Sequence, residues 1–525
     1  MALIECNGLN VSLAGRKVLE GLSIAIERGD RLGIIGESGA GKSVLAMSLI
    51  GLQPEAAEIS GTISFDGAPL PKTERELARL RAKRIGVLPQ NAGEALDPTT
   101  RIGAQLFEAL SLAGKTDEPA KQTAALLADV ALDPAVADRY AADLSNEDRQ
   151  FAMLAMALAG APELLIADEP GATLDLLGQR RMIDVIARLS AERNMALLLI
   201  SADLKIVAAL CNKVIVLKEG RAIESGATLS LFVTPRHEYT KLLLGAGRHR
   251  PKTLMHTPIG PPLLDVRGIT RNARPRRNSA LAQQAPGAEI ENISFVLRTG
   301  ESLALTGPSG SGKSTLARIV AGLDLASSGE MKFDTGTYHG SDLLPLFRRD
   351  ISFVFSDPVR SFDPHRTVGD SVAEPLRLEP QRLPEEIAER ILETVAAVGL
   401  APDILGLLPH AVKRGDLQRL AIARALISKP RLIVLDEPAA SLDVLARGEI
   451  ITLLNRLRAD YGMTFLIVSN DFEMIRQVSD RVMVMERGKI IETATPVMLL
   501  DSPEQPLTRR LVAARLAEIA YLPPN

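Results

Sequence analysis

The 525-residue chain has only two cysteines, Cys6 and Cys211. Two are too few for a disulfide framework or a cysteine zinc cluster, and they fit a reducing compartment. An excess of one charge is also missing. Lys and Arg number 61 against 64 Asp and Glu, for a net charge of −3, so there is no bulk attraction to nucleic acid or acidic lipid. Long apolar runs are absent too. ALLLI at residues 196–200 falls far short of the ~20 residues of a membrane span, so a membrane role would need protein partners. The opening MALIECNGLNVSL has neither a basic segment nor a long apolar one, and no signal peptide is expected.

What the chain does have is a repeat. GIIGESGAGKSVLAMSLIGL begins at Gly33 and ALTGPSGSGKSTLARIVAGL at Ala304. Downstream, LLIADEPGATLD and LIVLDEPAASLD place Asp168 and Asp436 at an offset of 268, and Asp175 and Asp443 repeat at the same offset. The hairpin-like KVIVLKEGRAIESG and RVMVMERGKIIETA follow suit. The length already calls for more than one domain. The repeat divides it into 1–245 and 263–525, with a Gly-, Pro- and base-rich linker at 246–262. A basic stretch, RNARPRRNSALAQQAPG at 271–287, has no aromatics among its charges and is expected to be a solvated loop.

RLGIIGESGAGKS reads as a strand, a glycine-rich turn and a helix start. Gly36, Gly39 and Gly41 let backbone N–H groups close around phosphates, Lys42 reaches the terminal phosphates, and Ser43 suits Mg²⁺. Gly307, Gly310, Gly312, Lys313 and Ser314 repeat the set, with Thr315 added as an ATP contact. LLIADE and LIVLDE read as buried strands that expose a carboxylate pair at their C-terminal ends, beside the phosphate loop. There Asp168 and Asp436 suit Mg²⁺, and Glu169 and Glu437 suit polarising a water for attack on the γ-phosphate.

With these motifs in this order, both halves resemble the nucleotide-binding domains of ABC transporters over nearly the whole chain. The resemblance implies an α/β fold of two P-loop NTPase domains. Each would have a RecA-like core, an antiparallel β-subdomain and a helical subdomain. VLPQ ends on Gln90, the Q-loop position, which implies contact with the metal and the catalytic water. ATLD and ASLD resemble D-loops. ALDP at 95–98, DPVRSFDP at 357–364 and PRHEYTKLLL at 235–244 are similar to segments of peptide, opine and nickel importers; PEQPLTRRL at 503–511 is a weaker copy of the last. The resemblance implies a fused energy-coupling subunit on the cytoplasmic face of the bacterial inner membrane. Two integral-membrane permease subunits and an extracytoplasmic substrate-binding protein would be its partners, and no nucleic acid is expected. ATP and Mg²⁺ are the implied cofactors.

The sequence departs from that family at specific points. The signature LSGGQ, whose helix start serves the γ-phosphate of an ATP bound by the other half, is LSNED at 144–148 and VKRGD at 412–416. Ser145 is the implied ATP contact in this copy, and with Asp148 three residues on it still reads as a helix start. Asn146 and Glu147 replace the glycines. In the other copy Lys413 and Arg414 are the implied ATP contacts. The switch histidine is replaced by Ala202 and Asn470, and Ser356 stands where the second Q-loop glutamine belongs. No aromatic is evident to stack on adenine; Leu13 holds the first position. Losing one transition-state donor costs about 10²–10³ in rate, and losses within one site rarely add. ATP·Mg²⁺ is therefore expected to bind, best at the Lys42 loop, with slow or absent turnover. A structural or regulatory pair with little ATPase activity is the alternative. A ribosome- or DNA-associated ABC protein fits poorly, because the linker is short and zinc cysteines are lacking.

Overall fold

The computed structural model describes residues 2–53, 56–246, 258–272, 288–333, 336–339, 350–377, 383–440 and 442–516. The expected linker lies largely outside these residues, as does most of the basic stretch at 271–287. The chain forms two compact units, residues 1–248 with 515–525, and residues 249–514.

In the first unit a six-stranded sheet runs in the order Arg221–Ala227, Lys213–Lys218, Arg31–Ile35, Ala196–Ile200, Leu164–Asp168, Ile85–Leu88. All neighbours are parallel except the first, hairpin pair. The strand sequences explain the arrangement. ALLLI is buried along its whole length, and LLIAD until its final aspartate, the mark of parallel strands covered on both faces. The second unit repeats the order with Lys489–Ala494, Arg481–Glu486, Ser302–Thr306, Thr464–Val468, Leu432–Asp436 and Ile351–Val354.

Each unit adds a four-stranded antiparallel sheet. In the first it pairs Arg16–Ile26, Ile4–Leu13, Ala57–Phe65 and Ala68–Pro69. Between the strand at Ile85 and the strand at Leu164 come the helices Ile102–Leu112, Pro119–Asp129 and Asn146–Leu158. The last buries Phe151, Leu154 and Leu158. Val368–Arg377, Pro384–Ala397 and Arg414–Leu426 are the counterparts. Each unit thus carries the core, antiparallel and helical parts that the resemblance implied. The parallel strands end with Asp168 and Asp436 at their C-terminal edge, where an open α/β sheet places its ligands.

Candidate functional site

The phosphate loops take the conformation that only glycine adopts cheaply. Gly36, at φ 151°, has no room for a side chain: a Cβ there would collide with the Leu217 carbonyl. Gly307 meets Met485 in the same way. Gly41 and Gly312, each at φ 99°, precede the helices Lys42–Leu49 and Lys313–Val320. Lys42 Nζ donates to the Gly36 and Glu37 carbonyls at 2.8 and 2.7 Å. Lys313 Nζ donates to Gly307 and Pro308 at 2.7 and 2.8 Å. Each lysine is therefore folded over its own loop, at the position from which it can turn to a phosphate. Gly39, Gly310 and Thr315 lie in the same two loop-and-helix segments.

Opposite each loop stands the carboxylate pair. The Ser43 hydroxyl donates to Asp168 at 2.7 Å, and Ser314 to Asp436 at 3.1 Å. Burial raises both aspartates above the usual carboxylate range, against the hydroxyl bond and the nearby lysine. A divalent cation would relieve that desolvation. One hydroxyl and one carboxylate suit Mg²⁺, which keeps waters and phosphate oxygens for its remaining positions. The residues present fit the metal.

Glu169 and Glu437 follow with φ of 50° and 47°, a left-handed backbone costly for a residue with a side chain. The Glu169 N–H reaches across to the Ile200 carbonyl at 2.8 Å, and Glu437 to Val468 at 2.9 Å, which holds the turn. The Glu169 carboxylate accepts the Ala202 N–H at 2.7 Å and the Ser201 hydroxyl at 3.3 Å. Burial nevertheless pushes Glu169 up to about 7. Burial also raises Glu437, against Lys313 and the Asn470 backbone N–H. The residues after the switch strand thus contact the glutamate through the backbone N–H of Ala202 or Asn470 and, in the first half, the Ser201 hydroxyl, and the side chains at 202 and 470 bring no imidazole. Gln90 is exposed two residues beyond the strand Ile85–Leu88. That strand pairs with the Asp168 strand. Ser356 stands at the equivalent point after Ile351–Val354.

The two signature positions differ sharply. Ser145 is the N-cap of Asn146–Leu158 and accepts the Asp148 N–H at 3.0 Å. Its hydroxyl also donates to the Asp148 carboxylate at 2.8 Å. Glu147 turns away to Arg181 at 2.9 Å, whose guanidinium lies 4.5 Å over the Phe151 ring. Asn146 donates to the Thr173 carbonyl and hydroxyl at 3.1 and 3.0 Å, and Gln150 also donates to that hydroxyl. In the second half Lys413 is the N-cap and provides no side-chain cap. Lys413 and Arg414 are exposed and have no ion-pair partner among the described residues. A reciprocal exchange of size accompanies the difference. Glu147 lies 3.3 Å from where a Cβ on Gly178 would stand; in the second half a Cβ on Gly415 would stand 2.9 Å from Ala446. The glycine has moved from one helix to the other.

Two glycine-rich loops, each facing a Ser–Asp pair and a buried glutamate, define a chain of two P-loop nucleotide-binding domains. A family pattern described as ABC transporter matches residues 19–172 and 290–440. The glutathione import ATP-binding protein of Escherichia coli (strain K12) is 34% identical over 536 residues, covering 94% of this chain and 85% of that one. The protein of the same description from Salmonella typhimurium (strain LT2) is 34% identical over 560 residues, covering 98% and 89%. The structure of cbiO1 from Clostridium perfringens, part of the ABC transporter complex cbiONQ, is 28% identical with a TM-score of 0.40, covering 44% of this chain and 90% of that one. The chain belongs to the ABC transporter family, as a tandem ATP-binding protein.

Sequence reasoning found the loops, the carboxylates and the altered signatures. It missed Thr173 and Arg181, which take up Asn146, Gln150 and Glu147. A threonine two residues before a D-loop aspartate is no signal by itself. The one available clue was the change from Gly178 to Ala446 opposite the change from Glu147 to Gly415.

Proposed function

We propose that this chain is the energy-coupling, ATP-binding subunit of an importer for peptide-type substrates, with slow hydrolysis. The observation that carries this reading is the coexistence of two complete loop–Ser–Asp–Glu sets with switch and signature positions that lack the family's donors. The relatives' description as glutathione import proteins supports the substrate class. The family resemblance supports two permease partners, an extracytoplasmic binding protein, a place at the cytoplasmic face of the membrane, and the joint working of the two halves. No helix among the described residues is long and apolar enough to cross a membrane, in keeping with coupling through such partners.

The loop amides around Gly39 and Gly41 enclose the phosphates, and Lys42 exchanges its two carbonyls for phosphate oxygens. Ser43 and Asp168, with Gln90 beside them, would hold Mg²⁺, which neutralises phosphate charge. Glu169 orients the attacking water once its carboxylate leaves the Ala202 amide. Lys313, Ser314, Asp436 and Glu437 act in the same way in the second half. Lys413 and Arg414 offer flexible charge to an anion in place of preorganised amides. Asp148 already occupies the start of its own helix, a place that favours anions, so a phosphate must displace it. Without the switch histidine no side chain at 202 or 470 steadies the water, and turnover falls well below that of an intact relative.

A second reading, a regulatory pair that binds nucleotide without transport work, is favoured by the Ser145–Asp148 closure alone. Phosphate release by the chain reconstituted with its permeases decides between them. Release that depends on the permeases and is abolished by Glu169→Gln with Glu437→Gln supports the importer. None above that double variant supports the regulatory pair. Brisk release by the isolated chain contradicts slow turnover.

A further inference from the structure

The two phosphate loops are alike in front and held differently from behind. In the first half the Glu37 N–H donates to the Tyr239 hydroxyl at 3.1 Å, while the Glu37 carbonyl accepts Lys42 Nζ at 2.7 Å. One residue therefore joins the helix Glu238–Ala246 to the phosphate-reaching lysine. Tyr239 is 5% exposed, and Lys218 Nζ lies 4.9 Å over its ring. The segment that carries it is fastened by Glu224, whose carboxylate accepts the Arg236 and His237 amides at 2.8 and 3.1 Å. His237 Nδ1 then accepts the Tyr239 amide at 3.0 Å.

The second half repeats the fastening. Glu492 accepts the Glu504 and Gln505 amides at 3.0 and 3.1 Å. At offset 268, however, Leu507 stands in the place of Tyr239, and Pro308 follows Gly307 as Glu37 follows Gly36. Proline has no N–H to donate and leucine no hydroxyl to accept, so both partners of the bond are lost together. The Pro308 carbonyl still accepts Lys313 Nζ at 2.8 Å, and its ring fixes φ covalently. A tyrosine that merely filled space would have no reason to change with the residue it contacts in the loop.

We propose that Tyr239 is a positioning residue of the first phosphate loop. Its hydroxyl holds the Glu37 backbone so that the loop is set before nucleotide arrives, as Pro308 holds the second loop through its ring. The inference rests on the reading that the first loop binds ATP.

The test uses the full chain carrying Lys313→Ala, so that a fluorescent ATP analogue with Mg²⁺ reports on the first loop. Tyr239→Phe is expected to weaken binding about fivefold, the worth of one neutral hydrogen bond. It should also speed amide exchange in the peptide covering residues 36–42, measured without nucleotide, by a similar factor. Tyr239→Leu should weaken binding at least as much. The pair Glu37→Pro with Tyr239→Leu, which copies the second half, should return affinity to within about twofold of the parent, since Pro308 needs no acceptor. Failure of that rescue, or unchanged affinity and exchange in Tyr239→Phe, overturns the positioning role. Binding that Lys42→Ala does not reduce overturns the ATP reading instead, and the exchange measurement still decides on the tyrosine.

Discussion

Ser145 and Asp148 are bonded twice: the serine hydroxyl donates to the carboxylate at 2.8 Å and accepts the Asp148 amide at 3.0 Å. The helix end that the family presents to a phosphate is closed here by its own side chains. The family's serine survives at this position, yet its proton is committed to an internal anion. Lys413, at the same position in the other half, caps nothing.

That asymmetry is measurable as stability. Ser145→Ala should destabilise the first unit by about 1 kcal/mol, the usual cost of losing an N-cap. Lys413→Ala should leave the second unit within about 0.5 kcal/mol, as for an exposed surface change. Differential scanning calorimetry of the two variants against the parent checks this. Equal losses would contradict the role given to Ser145.

Reopening the helix should raise turnover. Asn146→Gly, Glu147→Gly and Asp148→Gln together should increase phosphate release by about tenfold or more, because amide donors are worth 10²–10³ in rate when preorganised. Glu147→Gly also frees the space beside Gly178, so Gly178→Ala should then be stabilising by up to about 1 kcal/mol. In the parent the same alanine should gain less, because the Glu147 carboxylate must shift. A double-mutant cycle that shows no coupling between residues 147 and 178 would sink the exchange of size described above.

Glu169 ties stability to pH. Its folded pKa of about 7 lies above its ordinary value of 4.5, so the unfolded chain ionises first as pH rises. The folded state is penalised progressively between these values, and fully above about pH 7, by roughly 3 kcal/mol. Glu169→Gln keeps an oxygen for the Ala202 N–H and never ionises. It should raise the first unit's Tm by several degrees at pH 8 and leave it unchanged near pH 4. A gain that is the same at both pH values would contradict burial as the cause.

Ser43 should govern the metal rather than the nucleotide. Ser43→Ala removes the hydroxyl that stands 2.7 Å from Asp168. With Lys313→Ala isolating the first loop, Mg²⁺ should then strengthen ATP binding at least tenfold less than in the parent, while binding in EDTA stays within about twofold, as expected for a lost metal ligand. Titrations with and without Mg²⁺ read both numbers. An equal loss in both would assign Ser43 to the phosphates instead.

Much of this was legible in the chain. The alternation of glycine-rich turns with wholly apolar strands specified parallel sheets, since LLIAD and LIVLD have no polar face to offer solvent. The phosphate loops followed from local spacing, as the positive φ at Gly39 and Gly41 belongs to the turn itself; that the Leu217 carbonyl leaves Gly36 no room for a side chain was not legible. The left-handed turn at Glu169 was not legible, because it is imposed by a hydrogen bond to Ile200 on the adjacent strand. Nor was the direction of Glu147. A carboxylate at a helix start is drawn to local amides, and only Arg181, brought near by a later helix, turns it aside.

The sequence by itself determined the repeat, the two loop-and-carboxylate sets, and the loss of histidine at 202 and 470, because identity and spacing are properties of the chain. Only the tertiary structure decided that Arg181 turns Glu147 aside, that Thr173 takes up Asn146 and Gln150, and that Tyr239 holds Glu37. Side-chain direction depends on partners distant in sequence, and those become neighbours only once the sheet has formed and the helices have packed.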